Sequence, residues 1–268
     1  MARPKSTKGG KREYIQGLAK GLAVIEAFGA QAPSMTLTEV ASRTKLSPAS
    51  ARRVLLTLEE LGYVKAQDQR FGLQPRTLQL GYAYLSSLQL TGLAQPLLSQ
   101  LTGEVDESSS IGVLDGNETV FIARASARRM TRDYMTVGMR YPSHATSVGK
   151  LLLALRPPED AERLLSLAPL HSLTPKTITS RSALLKEFRL IRERGWAFND
   201  QETMVGMRSI ATPITADRQT VAALTVSAPI TRYDENGIVH HLLPPLHQAA
   251  ATLERLLAAR SPAGAFSE

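Results

Sequence analysis

The chain contains no cysteine. That absence excludes a disulfide framework, a thiol nucleophile and a cysteine-ligated zinc site. No apolar run approaches the ~20 residues needed to cross a bilayer as a helix. The opening stretch MARPKSTKGGKREY is basic but has no apolar segment behind it, so it does not read as a secretory signal. The expectation is a soluble cytoplasmic protein with no membrane partner. Catalytic signatures are missing as well. There is no G-x-S-x-G elbow and no G-x-G-x-x-G loop. HATSVGKLLL lacks the leading glycine of a P-loop, and Lys150 is followed by Leu151 instead of Ser or Thr. The five histidines are scattered; His240 and His247 share a helical face, but without carboxylates beside them. Asp200 and Glu202 would face one way in a strand or loop. Such a pair suits acid–base chemistry, but with no nucleophile at hand it fits better the ordering of a loop or the lining of a polar pocket. No catalytic residue, metal site or cofactor is assigned, and the chain is not expected to be an enzyme.

Acid is missing from two places. Residues 1–12 hold five basic side chains and no acid, and residues 45–57 hold no acid. The net charge of +8 is correspondingly uneven: residues 1–74 carry +6, residues 75–268 carry +2, and residues 13–74 alone carry +1. A basic arm over 1–12 suits a nucleic-acid backbone or anionic lipid, and equally fits a solvated tail. At 268 residues, 43% hydrophobic, the chain can build one or two ordinary domains.

Between residues 13 and 74 the pattern is helix, helix, turn, helix, hairpin. Ile15, Leu18, Leu22, Ile25 and Phe28 recur at helical spacing, and Gly29 and Pro33 close that helix. TLTE at 36–39 is a capping box opening a short helix, with Leu37, Val40 and Ala41 inward and an end near Thr44. Ser47 and Pro48 are the N-cap and first position of the next helix. Its apolar face is Ala51, Val54, Leu55, Leu58 and Leu61, and Gly62 stops it. YVKA and RFGL flank QDQ as two strands and a turn. This order is that of a winged helix-turn-helix, although a plain three-helix packing module with a solvated basic face has the same pattern. Under the first reading Ser47, Ala49, Ser50, Arg52 and Arg53 form the outward face of a recognition helix, with Thr44 and Lys45 in the turn before it and Lys65 and Arg70 on the wing. Arginine pairs with guanine, and hydroxyls and helix-start amides bind phosphate.

Leu78, Tyr82, Leu85 and Leu88 then lie on one stripe of a linker helix over 75–92, which fits either a dimer contact or packing on its own domain. From Leu93 to residue 260 the pattern is α+β. A helix over 93–105 precedes strands around LDGNE, a strand in RDYMTVGM, helices in TSVGKLLLAL, PEDAERLLSL and SALLKEFRLIRERG, strands in WAFND, MRSIATPIT and TVAALTVSAPI, and a last helix kinked at Pro244–Pro245. Residues 261–268 read as frayed. Thr225 and Ser227 alternate on one strand face, and Ser209 lies on a neighbouring strand. Such hydroxyls need a partner, either a backbone carbonyl or a bound carboxylate or phenol.

The chain resembles the IclR family of bacterial transcription regulators along almost its whole length. The carriers are YIQGLAKGLAVIEAF, LTEVASRTKLSPASARRVLLTLEELGYV, HATSVGKLLLA, GWAFNDQETMVGMRSIATPI and ALTVSAP. It looks most similar to the PcaR/PcaU/PobR branch, whose members sense 4-hydroxybenzoate, protocatechuate or β-ketoadipate. The resemblance implies an N-terminal winged-helix domain, a linker helix and a C-terminal GAF-like α/β effector-binding domain. It implies double-stranded operator DNA and a small aromatic or dicarboxylic acid as partners, homodimers able to pair into tetramers, and RNA polymerase as a partner if the protein activates. Carried over by motif, the effector site is Ser147, Val148, Asn199, Asp200, Ser209, Thr225 and Ser227. Many relatives have Cys at the place of Ser209 and an acid at that of Asn199; a neutral Asn repels an anionic effector less. Arg124 and His144 are added on charge type as counter-ions for a carboxylate.

Overall fold

The computed structural model describes residues 13–88, 90–128 and 135–260. The basic tail assigned to 1–12 and the frayed end at 261–268 lie outside them. Internal contacts divide the chain into two compact units, one ending at Ser87 and one beginning at Leu88.

The first unit contains α1 (Gln16–Ala27), β1 (Ser34–Thr36), α2 (Leu37–Thr44), α3 (Pro48–Glu60), β2 (Val64–Gln67), β3 (Arg70–Leu73), a 3-10 turn (Pro75–Thr77) and α4 (Leu78–Ser87). The capping box forms as read. Thr36 N–H donates to Glu39 at 2.7 Å, and Glu39 N–H donates back to the Thr36 hydroxyl at 3.3 Å. Ser47 caps α3 by accepting from Ser50 N–H at 3.3 Å. Val24, Val40, Ala51, Leu55, Leu58 and Val64 meet in one core. Each Val and Leu among them contributes about 1.5–3 kcal/mol by leaving water. Two expected stripes are corrected. On α1 only the C-terminal part reaches the core; Ile15, Leu18 and Leu22 remain 71%, 62% and 45% exposed. On α3, Val54 is half-buried and Leu61 exposed. The wing gains a strand, with order β1-β3-β2. Its turn places Asp68 and Gln69 at φ of 49° and 60°, the two left-handed positions of a tight hairpin.

The expected linker helix over 75–92 is split. After α4 the chain begins a second helix, α5 (Leu90–Val105), so the boundary placed at residue 93 falls inside it. Leu78 and Tyr82 of the predicted stripe are 74% and 72% exposed.

The second unit continues with β4 (Ser108–Asp115), β5 (Glu118–Ala125), β6 (Arg140–Pro142), α6 (Ser147–Ala154), α7 (Pro158–Leu165), α8 (Arg181–Arg194), β7 (Ala197–Asp200), β8 (Met207–Ala216), β9 (Gln219–Pro229) and α9 (Glu235–Arg260). The strands form one antiparallel sheet in the order β6-β5-β4-β9-β8-β7. The α+β expectation holds, with helices on both faces of the sheet. The strand expected in RDYMTVGM is displaced. Residues 129–134 are outside the described set, residues 135–139 form a turn, and the strand begins at Arg140. Pro244 and Pro245 lie within α9, which starts five residues before His240.

The alternation of the strands decides what meets what. Ala197, Ala211 and Ala223 join Phe121, Val148, Leu151 and Phe188 in the core beneath α6 and α8. Buried Leu224, Val226 and Ala228 alternate toward α9. Helix α6 lies close to the sheet because two glycines allow it. A Cβ on Gly149 would stand 2.3 Å from the Ser143 carbonyl, and one on Gly112 would stand 2.9 Å from Val148.

Candidate DNA-facing helix and ligand cavity

The start of α3 offers Ser47, Ala49 and Arg52 to solvent. Small side chains here let the helix approach a groove floor, and no acid intervenes. Two neighbours point elsewhere. Ser50 is buried, which corrects its placement on the outward face. Arg53 is exposed but lies along an apolar groove of about 560 Å³ between α1, α3 and α4, beside Leu18, Leu22 and Leu80. One residue along a helix turns the side chain by ~100°, so Arg52 and Arg53 face different surroundings. Thr44 returns its hydroxyl to the Val40 carbonyl at 2.7 Å. Lys45 takes a left-handed φ of 57° in the turn before α3. Lys65 is exposed on β2. Arg70 is engaged within the wing. It donates to the Ser34 carbonyl at 2.8 Å and pairs with Glu39 at 3.1 Å, so the capping carboxylate also anchors β3.

In the second unit one register row carries Ser108 on β4, Ser227 on β9, Ser209 on β8 and Asn199 on β7. All four line a cavity of about 160 Å³. Arg124, Tyr141, Arg208 and the methionines 135, 204 and 207 complete most of its wall. The lining is mainly apolar, with a short list of polar groups. Arg124 donates to the Ser110 hydroxyl at 2.8 Å. Burial pushes the Tyr141 phenol above its ordinary pKa, and Arg124 opposes that.

Behind Ser209 runs a chain of hydroxyls. Ser209 and Ser147 are 2.8 Å apart, Ser147 and Thr225 are 3.2 Å apart, and Thr225 donates to the Ile210 carbonyl at 2.9 Å. Each hydroxyl has one proton. Thr225 uses its own on the carbonyl, so Ser147 donates to Thr225, and Ser209 donates to Ser147. Ser209 therefore turns lone pairs toward the cavity.

The remaining expected effector residues are placed as follows. Val148 is buried against Gly112 in the core and is not among the lining residues. Asn199 is buried and spans two elements, donating to the Ala145 carbonyl at 2.5 Å and accepting from Glu202 N–H at 3.1 Å. His144 is corrected. Burial pushes its pKa down, its Nε2 donates to the His171 carbonyl at 3.0 Å, and a neutral imidazole supplies no counter-charge. Asp200 faces Lys176 and, at 2.7 Å, Arg208. Burial would raise its carboxyl, but hydrogen bonds from Lys176, Arg208 and Gln201 hold it down, at about 2. Asp200 and Glu202 are not a carboxylate pair, because Glu202 turns inward onto Lys150 of α6. Sequence reasoning missed Ser108, Tyr141, Arg208 and the three methionines. A signal for Ser108 was available, since SSS at 108–110 puts two hydroxyls on one strand face.

Among the described residues no group of His, Asp and Glu could hold a metal ion, and no helix is long and apolar enough to cross a membrane.

Residues 17–68 match the IclR helix-turn-helix domain, and residues 82–255 match the C-terminal domain of the bacterial transcriptional regulator IclR. Both describe transcription regulators, not enzymes. The chain is 36% identical over 250 residues to the Pca operon regulatory protein of Acinetobacter baylyi, covering 91% of this chain and 90% of that one. It is 36% identical over 264 residues to the p-hydroxybenzoate hydroxylase transcriptional activator of the same organism, covering 96% and 97%. An IclR homologue from Microbacterium hydrocarbonoxydans, crystallised with 4-hydroxybenzoate, superimposes with a TM-score of 0.79 at 27% identity, covering 90% of this chain and 98% of that one. The chain belongs to the IclR family of bacterial transcriptional regulators.

Proposed function

We propose that this protein is a cytoplasmic regulator of aromatic-acid catabolism genes whose effector is a hydroxylated aromatic carboxylate held in the cavity of the second unit. The observation that carries this reading is the direction of the hydroxyl chain. A cavity whose wall presents the lone pairs of Ser209 suits a ligand that donates a hydrogen bond there, as a phenol does. Arg124 on the wall suits a carboxylate, and the methionines suit an aromatic face between the two. Of the three acids implied by the family resemblance, 4-hydroxybenzoate and protocatechuate carry such a donor on a ring; β-ketoadipate has a flexible chain and two carboxylates. The names of the two Acinetobacter relatives and the ligand of the Microbacterium homologue support the same class.

Ser47, Ala49 and Arg52 read operator DNA, with Lys65 on the backbone. Two copies pair to match the half-sites of a palindrome, and the exposed apolar stripes of α1 and α4 are the surface for that pairing. Two such dimers can share an operator, and RNA polymerase is a further partner where the regulator activates. A ligand preferring one of two dimer arrangements shifts the population and so the operator affinity.

Operator binding followed by fluorescence anisotropy tests this. 4-Hydroxybenzoate or protocatechuate should change the affinity. 4-Methoxybenzoate should act about 10–100-fold more weakly, because it leaves Ser209 unmet. Equal potency of the methoxy and hydroxy acids would remove the basis of the reading.

A further inference from the structure

Lys150 and Glu202 form a buried ion pair, with side chains 2% and 6% exposed. Nothing in the ligand reading uses it. As a stabilising device it is poor. Two charges leave water, and among the described residues Glu202 Oε2 has no hydrogen-bond partner of ordinary geometry. Apolar residues of similar volume commonly match or exceed such a pair in stability. Burial also pushes the Glu202 carboxyl up, against the pull of Lys150.

Its position is informative. Glu202 lies in the turn between β7 and β8, residues 201–206, and the adjoining Thr203 and Met204 wall the cavity. Apart from the Gln201 side chain, which donates to the Asp200 carboxylate at 3.2 Å, the other ties on this turn are neutral. Thr177 donates to the Glu202 carbonyl at 2.6 Å, Thr174 to the Gln201 carbonyl at 2.8 Å, and Thr203 to the Ala145 carbonyl. Gln201 sits at a φ of 62°, a left-handed conformation unfavourable for a side-chain-bearing residue, so the turn is held in a shape it would not choose alone. Lys150 stands one helical turn after Ser147 on α6. The same helix thus supplies the hydroxyl behind Ser209 and the ammonium that grips the turn.

We propose that Lys150 and Glu202 are positioning residues for the ligand cavity: their ion pair fixes the β7–β8 turn, and with it Thr203 and Met204, at a set distance from Ser209. This rests on the cavity being the effector site. A side-chain shell about 1 Å too loose is enough to spoil a binding site.

The test separates positioning from stability. Lys150→Met and Glu202→Met singly each leave one buried charge and should melt lower. The double variant removes both charges and should recover most of the melting temperature. Binding of 4-hydroxybenzoate to the full chain, by isothermal titration, should nevertheless remain about tenfold or more weaker in the double variant, because apolar contact does not fix the turn. Glu202→Gln, nearly isosteric, should fold and also bind more weakly. Recovery of affinity together with stability would mean that the pair is structural only and would overturn the proposal. So would unchanged binding by Glu202→Gln, including the case in which the double variant does not fold. If the unaltered protein binds none of the aromatic acids, the ligand reading itself fails and this inference falls with it; binding by the unaltered protein and equal binding by the variants sinks this inference alone.

Discussion

The two functional regions hold their polar groups in opposite states. On α3 and the wing, Arg52 and Lys65 stand in solvent with no ion-pair partner among the described residues. Behind the cavity wall, the Ser147 and Thr225 hydroxyls, which are not among the lining residues, are bonded to one another or to backbone, as is the Asn199 amide on the wall, and Ser209 turns its lone pairs toward the cavity. A surface that meets a polyanion from solvent can leave its cations mobile, since water solvates them until DNA arrives. A cavity that encloses a small ligand cannot, because an unmet buried polar group costs about 1–3 kcal/mol. The first region depends on charge and shape, the second on hydrogen-bond direction.

Substitutions can break this contrast, and the largest effect is expected beneath the cavity. Gly149→Ala drives a methyl into the Ser143 carbonyl and the Thr119 hydroxyl, at 2.3 and 2.5 Å. It should cost at least the ~1–3 kcal/mol typical of overpacking, seen as a lower melting temperature and loss of ligand binding. Next comes the DNA face. Arg52→Ala should weaken specific operator binding by about 10–100-fold and leave the ligand affinity unchanged. Arg53→Ala, whose side chain lies along the α1–α4 groove, should do less; the reverse order would mean that the recognition face is misassigned.

Acid gives a smaller effect confined to the second region. The Asp200 carboxyl is held at about 2, below its ordinary 3.8, so it binds fewer protons folded than unfolded. Its contribution to stability is complete above about pH 4 and is lost as pH falls toward about 2. Urea melts over that window should show a steeper loss for the unaltered protein than for Asp200→Asn. The smallest effect belongs to the first region. Thr36→Ala removes the capping hydroxyl and should cost about 1 kcal/mol.

The first region was largely legible in the sequence because its determinants are local. A capping box, Ser47–Pro48, Gly62 and the wing turn within QDQ, which the structure narrows to Asp68 and Gln69, act within a few positions of each other. What failed there was direction. The apolar spacing of α1 did not reveal that Leu18 and Leu22 would remain exposed, nor did that of α3 reveal that Ser50 would be buried. The cavity was only partly legible, because it is assembled by sheet register. Ser108 and Ser227 are neighbours only once β4 pairs with β9. Arg208 stood beside Ser209 in MRSIATPI without being picked out, Tyr141 carried no motif, and charge type alone misplaced His144.

Isothermal titration of 4-hydroxybenzoate into the full chain and into Arg124→Met tests the central claim most directly. The unaltered protein should bind saturably at one site per chain. The variant, folded and with operator affinity unchanged in the absence of ligand, should bind at least about tenfold more weakly, as expected for losing a charge-assisted hydrogen bond worth ~1.5–3 kcal/mol. Equal binding by both proteins, or none by the folded unaltered protein, would contradict an aromatic carboxylate in this cavity.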